Sequence, residues 1–137
     1  MARGENLPRE RSNEYASRII EAIVTGEPYP IGGNVINRGL IDNLPAEACV
    51  EVPCTVNGSG VWPCRVGRLP VQLAAMNMTQ VNVHLLTIEA AVTRKREHIY
   101  HAALLDPHAA AELSPEEIIA MVDELIAAHD GWLPEYR

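Results

Sequence analysis

Glycine and proline are concentrated in one part of this chain, and they divide it into two kinds of sequence. Residues 28–68 hold six of the nine glycines and five of the ten prolines, together with three short runs rich in β-branched residues, at Ile31–Ile36, Cys49–Val56 and Val61–Val66. Such runs are typical of strands, and Asn57-Gly58-Ser59-Gly60 between the last two is typical of a hairpin turn. The sequence on either side has helical spacing of its apolar residues. This order predicts an α+β domain in which a small antiparallel sheet is packed by four helices.

The four predicted helices are bounded by residues that favour helix ends. They run from Ser12 to about Gly26, from Leu69 to about Val92, from about Arg94 to Leu105 and from Ser114 to about Gly131. In the last, Ser114 caps the helix and Glu117, three residues later, completes a capping box. The 69–92 helix has apolar residues on more than one side, so it must be covered on more than one side. In a small chain this predicts a partner surface.

Proline and cysteine residues give more detailed expectations for the sheet. Pro53 and Pro63 have no N–H to donate, so their strands are expected to be edge strands or to be bulged. Cys49 and Cys54 are separated by an odd number of positions, which places their side chains on opposite faces of one strand. With Cys64, they lack the C-x-x-C spacing of a zinc site. We expect buried thiols that pack as small hydrophobic side chains.

Charge and hydropathy exclude several classes of function. The formal net charge of −7 repels nucleic acid, and the basic cluster Arg94-Lys95-Arg96 is followed at once by Glu97. No run approaches the roughly 18 apolar residues of a membrane span. The polar residues 1–11 lack the apolar stretch of a signal peptide, and we expect them to be a flexible lead before a domain of residues 12–137. Reduced cysteines without a signal peptide favour the cytoplasm.

The run from Gly33 to Pro45 is the most distinctive motif. Glycine, asparagine and arginine alternate there with single apolar residues, which indicates a backbone positioned for a ligand or for a packed partner. Side-chain amides and a guanidinium can hydrogen-bond the oxygen atoms of a polar ligand. The candidate substrate contacts, in an intact protein, are Asn34, Asn37, Arg38 and Asn43. Alternation places Asn34 and Asn37 on opposite faces unless the chain bends between them. Alternatively, the asparagines bond their own backbone in turns and Arg38 pairs with Asp42.

Histidine residues support a weaker metal hypothesis. His98 and His101 lie three apart on a predicted helix, so they share a face and could hold a metal with Glu97. No third ligand is visible in the sequence, and a surface or interface pair is favoured. No G-x-G-x-x-G run is present to form a dinucleotide loop.

Further stretches extend the motif through the chain and together resemble a known family. They are Gly33–Pro45, Cys49–Cys54, Gly67–Pro70, Leu73–Asn77, Tyr100–His108, Met121–His129 and Trp132–Pro134. These stretches resemble the C-terminal part of glycoside hydrolase family 4, the NAD- and manganese-dependent glycosidases, and look most like its melibiose-type α-galactosidases. The resemblance runs from about Ser12 to Pro134. The family's nucleotide-binding half has no counterpart in it.

The resemblance implies an α+β fold similar to the C-terminal domain of lactate dehydrogenase-like proteins, which closes over substrate and builds subunit contacts. Intact family 4 enzymes act by oxidation and elimination: NAD accepts a hydride from the sugar, and a divalent metal, Mn²⁺, polarises the ketone. Their cofactor, metal and base residues lie upstream of the matched part. We therefore expect no catalytic, NAD-binding or metal-binding residue in this chain, and no activity from the chain alone.

Two kinds of partner follow from this resemblance. The chain is expected either to form a homo-oligomer or to pair with a missing N-terminal nucleotide-binding half, with a sugar as the substrate of the intact enzyme. The alternative is a stand-alone, non-enzymatic module that associates with itself or with another partner.

Overall fold

The computed structural model describes residues 14–137. In chain order its elements are α1 (Ala16–Thr25), β1 (Tyr29–Ile36), β2 (Cys49–Asn57), β3 (Gly60–Pro63), α2 (Val71–Thr93), α3 (Arg96–Leu104), α4 (Ala109–Glu112) and α5 (Pro115–Ala128). The strands form an antiparallel sheet in the order β1-β2-β3. The predicted α+β architecture is confirmed. Ser12 and the predicted flexible lead of residues 1–11 lie outside the described residues.

The hairpin between β2 and β3 is confirmed, because Asn57 pairs with Gly60 and leaves Gly58 and Ser59 as its two-residue loop. Of the two proline strands expected at an edge or bulged, β3, which ends at Pro63, does lie at an edge, but an edge position for the strand of Pro53 is wrong, since β2 is the central strand. The Pro53 carbonyl accepts a hydrogen bond from the Cys64 N–H at 2.8 Å, so the Pro53 nitrogen faces that side too. Cys64 lies just beyond the end of β3. The N–H that Pro53 lacks would therefore point to a position where the pairing of β2 with β3 has already ended.

The helices follow the predicted bounds with three differences. Helix α1 begins at Ala16 with Tyr15 as its N-cap, later than the predicted start at Ser12. Arg94, expected to begin the third helix, instead adopts a left-handed conformation with φ of 59° and caps the C-terminus of α2. The additional helix, α4, is only four residues long and follows Asp106. The carboxylate of Asp106 accepts hydrogen bonds from the backbone N–H groups of His108 and Ala109, at 3.0 and 2.8 Å. An apolar period cannot reveal a helix this short.

The described part of the chain divides into two compact units, and the first comprises residues 14–33 and 53–64. Among its described residues, Ala22, Gly33, Cys54 and Val56 are buried. A Cβ atom added to Gly33 would lie 2.7 Å from the Cys54 Sγ, so glycine at this position allows β1 to approach the Cys54 side chain. Of the two alternatives for the glycine motif, this contact supports the packed partner at Gly33.

The second unit comprises residues 34–52 and 65–137. In its helical part, α3 packs against both α2 and α5, and α4 contacts α3 and α5. The buried residues of these helices are Ala74, Val81, Ala90, Ala102, Ile118 and Val122. Several large apolar side chains of α2 remain exposed, namely Val71, Leu73, Met76, Ile88 and Val92. Within the described part of the chain, no helix combines the length and hydropathy needed to cross a bilayer.

The cysteines correct one expectation and confirm another. Cys49 is exposed and Cys54 is buried, so the two lie on opposite faces of β2 as their spacing predicts. Cys49 and Cys64 are not the buried thiols that we expected. Cys49 is on the outward face of β2, and Cys64 follows the end of a four-residue strand.

Candidate functional site

The loop between β1 and β2 contains three of the four candidate contacts and is organised around Asn37. This side chain is fully buried. Its Nδ2 donates to the carbonyl oxygens of Ile41, Leu44 and Pro45, at 2.9, 3.0 and 3.0 Å. Its Oδ1 accepts from the Ile41 N–H at 2.7 Å. The backbone continues the sheet, since the N–H of Asn37 donates to Ala48 O at 2.8 Å. Asn37 therefore fixes both ends of the segment 41–45.

Arg38 and Gly39 form the turn that follows Asn37. The Leu40 N–H donates to the Asn37 carbonyl at 2.8 Å, and the two residues between them have positive φ angles, 41° and 88°. Positive φ at both central positions is the pattern of a type I′ turn. The Arg38 side chain is exposed, and its guanidinium makes no hydrogen bond or ion pair within the described residues.

Asp42 does not pair with Arg38, which corrects that alternative. Its Oδ1 instead lies 2.7 Å from the Arg65 Nη2. The two partners are 23 positions apart in sequence, and only the fold brings them together. Local spacing made Arg38 the nearer basic residue, but Arg38 lies on a turn that leaves its side chain in solvent.

Asn43 fastens the same loop to the segment that leads into α2. Its Oδ1 accepts from the Leu69 N–H at 2.9 Å, and its Nδ2 donates to the Leu69 carbonyl at 3.0 Å. A parallel bridge between Ile41 and Gly67 adds to this attachment. The loop is thus bound along residues 65–69, and Asn43 is part of that attachment.

The structure therefore separates the four candidate contacts into two groups. Asn34 and Arg38 are exposed, whereas Asn37 is buried and Asn43 is half-buried. The polar atoms of Asn37 are committed to its own loop, which contradicts a direct ligand contact by this side chain. Asn34 and Asn37 differ in exposure, as the alternation predicts. The alternation predicts that these two asparagines lie on opposite faces but not which of them is buried, because burial of an asparagine depends on whether carbonyl groups converge on it after folding.

The two histidines of α3 lie side by side but are not part of a set of metal ligands among the described residues. The ring centroids of His98 and His101 are 6.1 Å apart in an edge-to-face arrangement. The Nδ1 of His98 is buried and has no hydrogen-bond partner in the described part of the chain. Glu97 lies 3.8 Å from the Lys95 Nζ. Among the described residues, no three His, Cys, Asp or Glu side chains converge on a point where they could hold a metal.

A polar cluster on the exposed surface joins α3 to α5. Arg96 donates from Nε to the Tyr100 Oη and from Nη2 to the Asp123 Oδ1, each at 2.9 Å. The Tyr100 hydroxyl also donates to that oxygen of Asp123. The hydrogen bonds from Tyr100 and then Arg96 hold the pKa of Asp123 below its ordinary value. They stabilise the ionised carboxylate, and this cluster fastens the two helices together.

Two apolar grooves lie among the helices of the second unit, away from the exposed candidates. One, of about 410 Å³, is lined by residues of α2, α3, α5 and the C-terminal segment. The other, of about 550 Å³, is lined by α2, α3, α4 and Met121 of α5. Neither includes Asn34 or Arg38. Arg38 is therefore exposed outside both of these grooves.

Comparison with protein families and with known proteins gives consistent matches. Residues 2–109 match the model of the family 4 glycosyl hydrolase C-terminal domain. The chain is 59% identical over 133 residues to an alpha-galactosidase of Bacillus subtilis (strain 168), covering 97% of this chain and 31% of that protein. It is 43% identical over 126 residues to an alpha-galactosidase of Rhizobium meliloti (strain 1021), covering 92% of this chain and 26% of that protein.

The fold has matches among solved structures. A 6-phospho-alpha-glucosidase from gut microorganisms, in complex with NAD and glucose-6-phosphate, superposes with a TM-score of 0.79 at 28% identity over 88% of this chain and 26% of its own. The chain thus spans only 26–31% of the length of these three relatives. The family match covers well over half of the chain, and the chain belongs to glycoside hydrolase family 4 as its C-terminal domain.

Proposed function

We propose that this chain is the C-terminal substrate and oligomerisation domain of an α-galactosidase-type family 4 enzyme that cleaves O-glycosyl bonds by NAD-dependent oxidation and elimination. The 59% identity to an alpha-galactosidase supports this assignment of substrate class. The observation that carries the proposal is the exposed Arg38 guanidinium on a firmly braced loop. On this proposal Arg38 supplies one side of the substrate site, and the nucleotide-binding half, which lies outside this chain, supplies the other side.

The donor set of this chain does not fit the cofactors of the intact enzyme. No three metal-binding side chains converge among the described residues, and the sequence has no G-x-G-x-x-G run. We therefore assign NAD and Mn²⁺ to the nucleotide-binding half of the intact enzyme. On this proposal the chain alone does not hydrolyse glycosides. It works in a reducing cytoplasm, where Cys49 and Cys64 stay thiols.

In the proposed site, Arg38 and Asn34 bind and orient the sugar. The guanidinium presents a planar set of N–H donors to hydroxyl oxygens, and the Asn34 amide can both donate and accept. Asn37 and Asn43 support the loop and do not touch the sugar. A charge-assisted hydrogen bond from the Arg38 guanidinium to the sugar would contribute about 1.5–3 kcal/mol.

Reconstitution tests this proposal. The chain is co-expressed with the upstream two-thirds of the Bacillus subtilis alpha-galactosidase, truncated where the match begins, and assayed on an aryl α-galactoside with NAD, Mn²⁺ and a reductant. We expect activity only when both parts are present. Activity from this chain alone, dependent on NAD and abolished by a chelator, would contradict the proposed division of roles.

Arg38→Ala in the reconstituted enzyme is expected to lower kcat/KM about tenfold or more, because one charge-assisted contact is lost. Arg65→Ala is the matched control, since it removes an arginine of the same loop region that is already paired with Asp42. We expect this control to change kcat/KM less than about twofold, as an exposed ion pair contributes little. Equal losses in the two variants would place Arg38 in the scaffold.

A stand-alone association module is the second candidate function, and the exposed apolar residues of α2 favour it. Val71 and Met76 are both 69% exposed on the first turns of this helix. Large exposed apolar patches mark interaction surfaces. A stable dimer in analytical ultracentrifugation, together with no activity in any reconstituted mixture, would favour the module over the enzyme domain.

A further inference from the structure

The backbone of Arg38 adopts a conformation that needs support from its surroundings. Its φ of 41° lies in the left-handed region, which a residue with a Cβ atom rarely occupies. Such conformations persist only when neighbouring structure over-determines them, and they cluster at functional sites. Gly39 follows with a φ of 88°, so both central positions of the turn depend on their surroundings.

Asn37 supplies the constraint on this turn. Its carbonyl accepts the hydrogen bond that closes the turn, at 2.8 Å from the Leu40 nitrogen. Its side chain forms hydrogen bonds with both the N–H and the carbonyl of Ile41, immediately after the turn. Arg38 itself donates its N–H to the Ala46 carbonyl at 3.0 Å. The residues before and after Arg38 are thus held by one buried side chain, and the guanidinium projects from a fixed base.

The chemistry of the position requires an amide. One end of the side chain faces an N–H and the other faces three carbonyl oxygens, so only asparagine in this orientation satisfies both ends. Aspartate would place a carboxylate oxygen against those carbonyl groups. Serine is too short to span from Ile41 to Pro45.

We propose that Asn37 is a positioning residue that holds Arg38 ready for substrate, an inference that rests on the proposed function of this domain. Asn37 does not touch the sugar. It fixes the left-handed turn, so the guanidinium does not have to be ordered when the substrate binds. Preorganisation of this kind improves binding by reducing its entropic cost.

The first test uses the full chain without substrate. Backbone ¹⁵N relaxation at Arg38 is measured in the wild type, in Asn37→Ser and in the control Asn43→Ser, which loosens the attachment to Leu69 but leaves the turn bonds. We expect an order parameter near the rigid value of about 0.85 in the wild type and control, falling below about 0.6 in Asn37→Ser. An unchanged Arg38 in Asn37→Ser overturns the proposal.

A second variant covers the case in which Asn37→Ser unfolds. Adding Arg38→Gly removes the conflict between a Cβ atom and positive φ, and should restore a folded chain with a higher Tm than Asn37→Ser alone. If Arg38→Gly raises the Tm of the wild type and of Asn37→Ser equally, Asn37 does not support the left-handed turn and the proposal is overturned.

A double-mutant cycle in the reconstituted enzyme separates positioning from general stability. We expect Asn37→Ser to lower kcat/KM about tenfold when Arg38 is present and less than about twofold when Arg38→Ala is already present, mainly through KM. Equal losses in both backgrounds indicate a merely structural role and overturn the proposal. If Arg38→Ala has no effect on kcat/KM while the relaxation result stands, the proposed substrate contact fails, and only the positioning of the turn is supported.

Discussion

At the scale of single residues, the close approach of β1 to the Cys54 side chain decides which residues position 33 tolerates. Gly33 is buried in β1, and the nearest side-chain atom to a Cβ built on it is the Cys54 Sγ, at 2.7 Å. Real Cβ atoms do not approach sulfur this closely, so an added methyl group must displace the side chain or the strand. The glycine motif is therefore partly a packing motif, in which a missing side chain on one strand accommodates a thiol on the next.

Gly33→Ala is expected to destabilise the chain by about 1–3 kcal/mol, because it overpacks a filled site. Cys54→Ala removes the sulfur that the new methyl group meets. The double variant should therefore be more stable than the sum of the two single effects predicts, by roughly 1 kcal/mol. Urea unfolding of the four proteins measures this coupling. Additive effects would show that the strain at Gly33 does not arise from Cys54.

Asp123 gives a prediction for pH dependence. Hydrogen bonds from Tyr100 and Arg96 lower its pKa in the folded state, so the folded state favours the ionised form. The resulting stabilisation is present above the ordinary pKa of about 3.8 and is lost as the pH falls through that value towards the lower folded pKa. Between about pH 5 and pH 3, the Tm of the wild type should fall more steeply than that of Asp123→Asn.

The control for this experiment is Glu124→Gln, which removes the neighbouring exposed carboxylate outside the cluster. Its Tm should follow the wild-type pH profile. Parallel profiles for the wild type and Asp123→Asn would show that the cluster adds no pH-dependent stability.

At the scale of elements, helix ends were predicted well where a local signal exists. The Ser114 Oγ accepts from the Glu117 N–H at 3.3 Å, and the Glu117 Oε2 accepts from the Ser114 N–H at 2.8 Å. This confirms the capping box before α5. The central position of β2 was not predictable, because the cost of Pro53 depends on where its partner strand ends. The sequence likewise contains no local signal that Arg94 ends α2 instead of beginning the next helix.

Ser114→Ala should destabilise the chain by about 1 kcal/mol, with a range of about 0.5–2, because an N-terminal N–H of α5 loses its acceptor. Glu116→Ala is the control: it removes a carboxylate from the same first turn but leaves the box intact. We expect a smaller effect there, of about 0.3–1 kcal/mol from the helix dipole. Thermal unfolding compares the two, and an equal or larger loss in Glu116→Ala would indicate that the cap adds nothing.

At the scale of the whole molecule, α2 exposes apolar side chains that the described elements do not cover. The 69–92 segment was predicted to be apolar on more than one side, and α2 retains five large exposed apolar residues. The family, the fold and this helix could be predicted from sequence because each depends on patterns along the chain. The separation of the four candidates into exposed and covered side chains could not, since it depends on carbonyl groups that converge on Asn37 only after folding.

The isolated chain is expected to self-associate through α2, because its exposed apolar side chains gain by leaving water. Met76→Lys should shift it towards monomer in analytical ultracentrifugation at tens of micromolar. Asn82→Lys introduces the same charge at an exposed polar position of α2 and should leave the association unchanged. A wild-type chain that sediments as a monomer and binds no hydrophobic dye would contradict this prediction.

The two outer strands of the sheet determine what form such association takes. Pro30 lies in β1 and Pro63 is the last residue of β3, so each flank of the sheet carries a residue that cannot donate to an incoming strand. Proline and short strands at these flanks discourage fibril growth, which requires uninterrupted backbone pairing. Concentrated solutions of this chain should therefore form discrete, reversible, helix-mediated assemblies that do not bind thioflavin. The domain can thus keep an exposed apolar helix surface without becoming amyloid-prone.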